Sequence, residues 1–372
     1  MSPSTDRIIL PDLAAICPFP WRVNPHYERA REESSAWVES YMVRAKSRKV
    51  AFLKACVSEL LASLTYSYAN FEQLRLSCDF LNLLFDYDEF SDELDGDSAS
   101  TSGTIFLKTI NGEKTQGSVL SDIVEDFMIR FAEMSPNAKC LERFKVALID
   151  YINAVSEEAD LRKNERVLDT ESYIPLRREN SGVRACFGFF ELIHGTELPD
   201  EVFEDPIFQR MYWYGVDLVC FANDLFSYKM ERAKGLDGNN YVTVVMREKG
   251  LGLQEAADFV ASQFKQRLEQ FVEDRKNIRS FGEDVDRDVQ KYLFSISQWC
   301  IGSIVWSFKT PRYFGADYEE VKRTLVVKLI DVDSDTDSDS ESESGDFKHY
   351  ASHSISDSWI FKVLSWSMRL LK

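Results

Sequence analysis

The residues that punctuate strands and loops are scarce in this sequence. Only 16 glycines and 10 prolines occur among 372 residues, and few segments alternate apolar with polar residues as strands do. Helix-forming residues dominate instead, which predicts an all-α fold. Because 44% of the chain is apolar and 13% aromatic, it can bury the core of one large domain or two ordinary ones.

An excess of positive charge is also lacking, and so are cysteine or histidine clusters with the spacing of metal ligands. A net charge of −18 argues against nucleic acid as a partner, because nucleic-acid binding needs basic surface. The seven cysteines show neither C-x-x-C spacing nor a compact disulfide framework, and the four histidines show no ligand spacing. No Walker A, Rossmann glycine or G-x-S-x-G pattern is present, so several common enzyme classes are excluded.

Long uncharged apolar segments are absent as well. The sequence contains no run of about 18 apolar residues, so no transmembrane helix is predicted. The N-terminal residues lack the apolar stretch and cleavage site of a signal peptide. We therefore expect a cytoplasmic protein, and the sequence leaves open whether it is a monomer or a homodimer.

The composition predicts one helical domain that ends near residue 330. Residues 8–25 are rich in proline and apolar residues, which predicts an arm lying across a bundle rather than a helix. Helical patterns then follow closely, without a fixed repeat or a linker. Residues 95–116 are polar and contain glycine, which predicts a surface loop. We expect residues 1–330 to form a single domain.

Beyond that domain the sequence changes character. Residues 331–346 alternate eight acidic residues with serine and threonine and contain no base, which predicts a disordered linker. Its serines could suit an acidophilic kinase, although a merely solvating linker is the commoner case. Residues 347–372 mix apolar residues with lysine and arginine. This mixture fits an amphipathic helix, which could contact a membrane, a partner or its own domain. The alternative is a tail without function.

The most informative stretch is a buried helix predicted for residues 205–232. Asn223, Ser227 and Glu231 interrupt its apolar face at spacing i, i+4, i+8, so they share one face over about two turns. Unpaired polar groups would be costly there, and their oxygens are hard ligands of the kind that Mg²⁺ accepts. The alternative is a satisfied polar network between helices, which is the commoner meaning of such a pattern.

A second acidic cluster lies at the end of a helix predicted from residue 70 to residue 90. Asp88 and Asp92 are four residues apart, so they can lie together. A helix C-terminus disfavours anions, and these acids therefore call for a cation or for solvent. Two oxygen-rich clusters that face each other could hold several Mg²⁺ ions and an oxyanion between them.

Basic residues suited to an oxyanion lie in two further segments. Arg177 and Arg178 precede Gly182, which can break a helix. Arg312 and Tyr313 follow the last predicted long helix. Arginine suits diphosphate because its planar fork donates two hydrogen bonds and keeps its proton. Taken singly, each arginine is more often part of a surface ion pair.

Together these residues resemble the microbial class I terpene synthases, and within them the sesquiterpene synthases of basidiomycete fungi. D-E-F-S-D at residues 88–92 is similar to the aspartate-rich motif of that family. Its other motifs resemble N-D-L-F-S-Y-K-M-E at 223–231, R-R-E-N-S-G at 177–182 and R-Y at 312–313. The resemblance covers residues 8–328 and leaves the acidic extension outside.

The resemblance implies a single class I terpene synthase-type helical bundle with a disordered acidic C-terminal extension. It implies a cyclase that ionises farnesyl diphosphate with three Mg²⁺ ions. The implied metal ligands are Asp88, Asp92, Asn223, Ser227 and Glu231. The implied diphosphate contacts are Arg178, Gly182, Lys229, Arg312 and Tyr313. Candidates by position for an aromatic cavity wall are Phe80, Phe85, Phe187 and Trp306.

Two positions need a choice within the family pattern. Many members have lysine directly before the final glutamate of the second motif, whereas this chain has Met230 there and Lys229 one residue earlier. Arg178 is expected to sense the diphosphate because its spacing to Gly182 fits the family better, and Arg177 is the alternative.

Two other functions fit part of the sequence. A chain-elongating isoprenyl diphosphate transferase shares the fold type, but it usually carries aspartate-rich motifs on both walls, and the Asn/Ser/Glu triplet argues against it. A catalytically inactive helical scaffold could bind a basic partner through the acidic tail, but the intact oxygen ligands on both walls argue against that.

Overall fold

The computed structural model describes residues 7–41, 57–92, 96–134 and 136–329. Within these ranges, the side chains of residues 88–92 and 96–100 lie outside the description. The predicted acidic linker at 331–346 and the predicted tail at 347–372 also lie outside the described residues, and both remain sequence-based predictions.

The described part of the chain is a helical bundle, which confirms the all-α prediction. The elements are β1 (Arg7–Ile9), α1 (Leu13–Ile16), α2 (Tyr27–Tyr41), α3 (Ser58–Thr65), α4 (Phe71–Asp92), α5 (Gly96–Ile110), α6 (Val119–Glu133), α7 (Ala138–Lys163), α8 (Thr170–Asn180), α9 (Val183–Phe187), α10 (Phe189–His194), α11 (Asp200–Phe203), α12 (Pro206–Lys234), α13 (Tyr241–Lys249), α14 (Leu253–Asn277), α15 (Glu283–Ser307), α16 (Tyr318–Thr324) and β2 (Val326–Lys328). Among the described helices, none is long and apolar enough to cross a bilayer.

Side-chain caps fix where the two longest site helices begin. At the start of α4, Asn70 Oδ1 accepts from the Gln73 backbone N–H and Gln73 Oε1 accepts from the Asn70 backbone N–H, each at 3.0 Å. At the start of α12, the Asp205 carboxylate accepts from two backbone N–H groups, and Pro206 occupies the first turn. Gly235 ends α12 with φ 71°. The helix predicted at 205–232 is therefore confirmed.

The prediction of a surface loop at residues 95–116 was wrong, because α5 occupies Gly96–Ile110. Phe106 and Ile110 are buried at helical spacing. Gly103 continues this face, and an added Cβ there would lie 3.2 Å from Ile152 Cγ2 of α7. Burial against α7 therefore outweighs the weak helix propensity of the Ser, Thr and Gly residues that suggested a loop.

The predicted N-terminal arm is present, but it includes a strand, β1, and one helical turn, α1, which the sequence did not predict. β1 pairs antiparallel with β2, with Ile8 opposite Val327. The Gln254 side chain then donates to the Ile9 carbonyl and accepts from the Ile9 backbone N–H, each at 2.9 Å. The arm is thereby tied to the segment that follows Arg312 and Tyr313 in the chain.

Helix α12 lies at the centre of the described bundle. It packs along α14 and α15, and it also contacts α8, α9 and α13. Its stretch from residue 215 to residue 222 is buried throughout. A polar side chain that leaves this helix therefore meets neighbouring helices and must be satisfied by them or by a ligand.

Close packing of α15 on α3 leads to a stability prediction at Gly302. An added Cβ there would lie 2.9 Å from Thr65 Cγ2 and 3.0 Å from the Leu64 backbone carbon. Because backbone cannot move aside easily, Gly302→Ala is expected to lower the free energy of unfolding by about 1–3 kcal/mol in urea titrations. The control is Gly238→Ala, whose Cβ would lie at the ordinary contact distance of 3.5 Å from Val167 Cγ2. Equal stability of the two variants would contradict this packing.

Candidate active site

The three polar residues of α12 lie as the sequence predicted, on one face of a buried helix. We call Asn223, Ser227 and Glu231 the α12 stripe. Ser227 is 1% exposed, and Asn223 and Glu231 are partly buried. Among the described residues, the buried Ser227 Oγ has no partner at hydrogen-bonding distance. An amide, a hydroxyl and a carboxylate in this order offer oxygen ligands to a hard divalent cation.

Glu231 supplies the single carboxylate of the stripe, and the pKa of that carboxylate is raised. Burial, followed by the negative charge of Asp224, raises its pKa from 4.5 to about 7. The hydrogen bond from Asn240, the nearby Ser227 hydroxyl and the charge of Arg177 oppose this rise only in part. The Asn240 amide donates to Glu231 Oε2 at 2.8 Å. A carboxylate that is costly to ionise gains stability from a bound cation, which fits a metal ligand.

The possible metal ligands of the stripe are one amide, one hydroxyl and one carboxylate. No three His, Cys, Asp or Glu side chains of the described ranges converge as metal ligands. A site on α12 must therefore rely on amide and hydroxyl oxygens, and such ligands suit Mg²⁺ better than softer metals.

The structure brings Arg177 to the stripe. Its Nη2 donates to Asn223 Oδ1 at 2.7 Å, and its Nε donates to Asp224 Oδ1 at 2.9 Å. Its Nη1 donates to Asn180 Oδ1 at 3.2 Å. Burial alone would lower the pKa of this guanidinium, but the charge of Asp224, together with Cys220, Tyr173 and Glu231, outweighs burial and raises the pKa. Arg177 therefore stays cationic beside the stripe.

Arg178 does not reach the stripe. Its Nε and Nη2 donate to the two carboxylate oxygens of Asp217 at 2.7 and 2.9 Å. The guanidinium lies 5.1 Å from the centre of the Trp213 ring. Arg267 donates to the same carboxylate at 2.8 Å. The residue expected to sense diphosphate is thus part of a buried ion-pair network, and its neighbour occupies the place expected for it.

Tyr313 joins the stripe from the segment that follows α15. The Asn223 Nδ2 group donates to the Tyr313 hydroxyl at 2.8 Å, and Tyr313 is 3% exposed. The Arg312 guanidinium carbon lies 4.7 Å from the centre of the Phe85 ring on α4. Phe85 of α4, the stripe and the Arg312–Tyr313 segment therefore lie in one region.

The remaining predicted site residues lie at the end of α4, between α8 and α9, and on α12. Asp88 and Asp92 belong to the last two turns of α4, and their side chains lie outside the described residues. Gly182 separates α8 from α9 with φ 68°, which confirms the predicted helix break. Lys229 is partly buried on α12, but helical geometry turns it away from the stripe.

Of the four aromatic candidates, the structure brings two together beside the site. The Phe85 and Trp306 rings are 5.7 Å apart, and Trp306 lies edge-on to Tyr313 at 5.6 Å. Phe80 packs with Phe127 in a separate cluster, with ring centres 5.4 Å apart. Phe187 packs against Phe190, Tyr212 and Trp299, which Tyr66 and Phe189 connect to the cluster of Phe80.

The sequence analysis did not identify three residues that hold the site in place by hydrogen bonds, Asp224, Asn240 and Tyr173. All three are buried: Asp224 accepts a hydrogen bond from Arg177, Asn240 donates to Glu231, and Tyr173 donates to Asp224. Asn240 carried one signal, because asparagine is a favoured N-cap residue and Asn240 directly precedes α13. Nothing in the spacing alone separates the role of Asp224 from that of a metal ligand.

A separate cleft of about 520 Å³ lies toward the N-terminal end of α12. Tyr212 lines it, eleven residues before Asn223, which corresponds to about 16 Å along a helix. Its charged lining includes ion pairs, for example Arg143 with Glu191 at 2.8 Å. None of the stripe residues lines this cleft.

Fold and site together define an all-helical protein with an oxygen-ligand stripe and a cation at one end of its central helix. Residues 79–270 match the family described as "Terpene synthase family 2, C-terminal metal binding". A relative from Cyclocybe aegerita named Bifunctional terpene synthase Agr4 is 40% identical over 88% of this chain and 95% of its own length. Sesquiterpene synthase 1 of Postia placenta is 36% identical over 88% of this chain and 98% of its own.

The chain belongs to terpene synthase family 2. Its resemblance to basidiomycete sesquiterpene synthases is thereby confirmed, and the protein is a terpene synthase, a lyase of a family that uses prenyl diphosphates and a divalent metal. One further relative, from Coprinopsis cinerea, is 41% identical over 88% of this chain and bears the name Linoleate 10R-lipoxygenase COP4. That name denotes other chemistry, and the match to the family decides the assignment.

Solved structures support the fold independently. Germacradien-4-ol synthase from Streptomyces citricolor matches with a TM-score of 0.68 and 21% identity, over 78% of this chain and 96% of that one. Hedycaryol synthase in complex with nerolidol matches with a TM-score of 0.70 and 20% identity, over 80% of this chain and 99% of that one. At these identities the likeness concerns the fold alone.

Proposed function

We propose that the protein is a sesquiterpene synthase that ionises farnesyl diphosphate with Mg²⁺ and cyclises the resulting carbocation. The observation that carries the proposal is the meeting of the α12 stripe with Arg177 and Tyr313. A buried cation beside three oxygen ligands suits a metal–diphosphate unit. Relatives named as sesquiterpene synthases in Postia placenta and Cyclocybe aegerita support a fifteen-carbon substrate.

The stripe residues fit a resident magnesium ion. Ser227 offers a buried oxygen, and Glu231 offers a carboxylate whose raised pKa favours a bound cation. In the proposal, Asn223, Ser227 and Glu231 hold one Mg²⁺, while Asp88 and Asp92 hold others, for three ions in all. When bound, Mg²⁺ supplies positive charge that stabilises the departing diphosphate.

The chain's own residues bind and orient the diphosphate. Arg177 presents a planar guanidinium that can donate two hydrogen bonds to it. Asn223 orients the Tyr313 hydroxyl, whose O–H then donates to a diphosphate oxygen. Arg312 adds a second positive charge from the same segment. In the proposal Arg178 takes no part in this step, because it bonds Asp217 and, unlike Arg177, makes no hydrogen bond to the stripe.

After the C–O bond breaks, an allyl cation remains beside the aromatic rings. Phe85 and Trp306 lie next to Arg312 and Tyr313, so they are the rings best placed near the departing group. A desolvated aromatic face stabilises a cation by about 1–2 kcal/mol. Exclusion of water by these rings protects the cation from early quenching, and the cavity shape folds the remaining chain.

A product assay tests the proposal. The purified protein is incubated with geranyl, farnesyl or geranylgeranyl diphosphate and Mg²⁺, and volatiles are analysed by gas chromatography–mass spectrometry. We expect cyclic fifteen-carbon products from farnesyl diphosphate, none in excess EDTA, and recovery with added Mg²⁺. Turnover at full rate in EDTA would contradict the metal-assisted mechanism.

The same assay separates the alternatives. A longer prenyl diphosphate formed from farnesyl and isopentenyl diphosphates would identify a chain-elongating transferase. No turnover of any prenyl diphosphate, with metal present, would favour an inactive scaffold.

The acidic extension is proposed to lie outside the catalytic domain of residues 1–330. A chain ending at Leu329 is expected to keep the melting temperature and product profile of the full chain, because residues 331–346 are too polar to contribute to a core. Circular dichroism melts and the product assay check this. A truncated chain that no longer folds would show that residues 347–372 pack on the domain.

A further inference from the structure

Asp224 lies within the stripe sequence, yet its carboxylate is engaged elsewhere. The residue is 1% exposed, and both of its oxygens accept hydrogen bonds. Oδ1 accepts from Arg177 Nε at 2.9 Å. Oδ2 accepts from the Tyr173 hydroxyl at 2.6 Å and from the Tyr241 backbone N–H at 3.2 Å. A buried carboxylate with this many donors is satisfied by protein and does not need a metal.

Two helices, α8 and α13, supply the donors to this carboxylate. Tyr173 of α8 is fully buried and stacks on Tyr241 of α13 at 5.6 Å between ring centres. Asn240, which is also fully buried, donates from its side chain to the Asp224 backbone carbonyl at 2.8 Å. The same Asn240 caps α13 by accepting from the Val242 backbone N–H. Asp224 therefore sits in a rigid polar socket rather than on a free helix face.

The socket determines where the Arg177 guanidinium lies. With Nε bonded to Asp224, the fork is turned so that Nη2 reaches Asn223 of the stripe at 2.7 Å. An unrestrained arginine side chain loses much rotamer freedom when it binds a ligand. An arginine already held in place pays less of that entropy, so it binds its anion more tightly.

We propose that Asp224 is a positioning residue that holds the Arg177 guanidinium at the stripe, and that it affects diphosphate binding only through that arginine. This inference rests on the proposed function, because it assumes that Arg177 contacts the diphosphate. It assigns to Asp224 a role distinct from metal binding, although the residue stands between two proposed metal ligands.

Asp217 provides a matched control on the same helix. It lies seven residues before Asp224, is equally buried at 1% exposed, and pairs with the neighbouring arginine, Arg178, at 2.7 Å. Its network points away from the stripe. Asp217→Asn and Asp224→Asn therefore remove the same charge from the same helix, and only the second releases an arginine beside the proposed diphosphate site.

The test compares both variants of the full chain in thermal melts and steady-state kinetics. Melts are run without ligand, with Mg²⁺ alone, and with Mg²⁺ plus inorganic diphosphate. Both substitutions are expected to lower the ligand-free melting temperature. Only Asp224→Asn is expected to lose most of the diphosphate-induced shift and to raise KM at least about tenfold. An Asp224→Asn variant that keeps the shift to the same extent as Asp217→Asn overturns the inference.

The wild-type protein separates the inference from the proposed function. A wild type that shows no shift with Mg²⁺ plus diphosphate overturns the proposed function and the inference with it. A normal wild-type shift that Asp224→Asn also shows overturns the inference alone.

A double-mutant cycle tests whether Asp224 acts through Arg177. In an Arg177→Ala background, Asp224→Asn is expected to raise KM no further, and an additional tenfold rise would overturn the inference. If Asp224→Asn does not fold, Tyr173→Phe removes one donor from the same carboxylate without changing charge. It is expected to raise KM about threefold, and an unchanged KM would count against the inference.

Discussion

Arg177→Ala is expected to reduce turnover of the prenyl diphosphate about 10²-fold or more, the size typical of removing one preorganised donor from a developing anion. Arg177 lies 2.7 Å from Asn223 and is the arginine that the structure places at the stripe. Arg178→Ala is expected to leave turnover within a few fold. Steady-state rates and melting temperatures of both variants check the prediction.

Both substitutions are expected to lower stability, because each removes an arginine that pairs with a buried aspartate, so turnover is the property that separates them. Arg178→Ala removes one of the cations that pair with the buried Asp217, so we expect a loss of about 1–3 kcal/mol, limited because Arg267 still bonds that carboxylate. If Arg178→Ala instead abolished turnover at unchanged stability, while Arg177→Ala retained it, the sequence-based choice of Arg178 would stand and the proposed geometry would be wrong.

Glu231→Gln is expected to lower turnover on the order of 10²-fold, because the stripe loses its only negative charge toward Mg²⁺ while its shape is kept. The amide oxygen can still accept from Asn240, which limits structural damage. Glu269→Gln is the matched control, since Glu269 is exposed on α14. Turnover by Glu231→Gln at the wild-type rate would remove Glu231 from the metal site.

The same substitution should change how stability depends on pH in metal-free protein. The folded pKa of Glu231 is about 7 against an ordinary 4.5, so the folded state keeps a proton that the unfolded state releases between these values. Wild-type stability is therefore expected to fall as pH rises from 4.5 to 7, and Glu231→Gln should remove this loss, gaining about 1–3 kcal/mol at pH 8 and little at pH 4. Urea titrations at the two pH values measure the difference.

The sequence was sufficient where the relevant contacts are local. The stripe of Asn223, Ser227 and Glu231 follows from helical period alone, because residues four apart on a buried helix share a face. The break at Gly182 follows from backbone freedom, and the structure shows it with φ 68°. The helical class follows from composition and period over many residues.

The choice between Arg177 and Arg178 could not be made from local pattern. Adjacent residues on a helix point about 100° apart, so one of them must face the stripe, but the rotation of α8 decides which. That rotation is fixed by partners about 40 or more residues away in sequence. Asp224 bonds Arg177, and Asp217 bonds Arg178.

The missed elements also depend on distant contacts. Helix α5 looks like a loop by composition, and only burial of its face against α7 reveals it. Strands β1 and β2 are three residues each and lie at opposite ends of the described domain, so their pairing leaves little signal in either segment. Register in such a pair is set by the fold around it.

The central claim is that the α12 stripe and Arg177 bind a magnesium–diphosphate unit, and calorimetric titration tests it most directly. Inorganic diphosphate is titrated into wild-type protein and into Asn223→Ala/Ser227→Ala, each with and without Mg²⁺. The account predicts binding by the wild type only when Mg²⁺ is present, and loss of that binding in the double variant. Equal binding by wild type and double variant, or wild-type binding that does not need Mg²⁺, would contradict it.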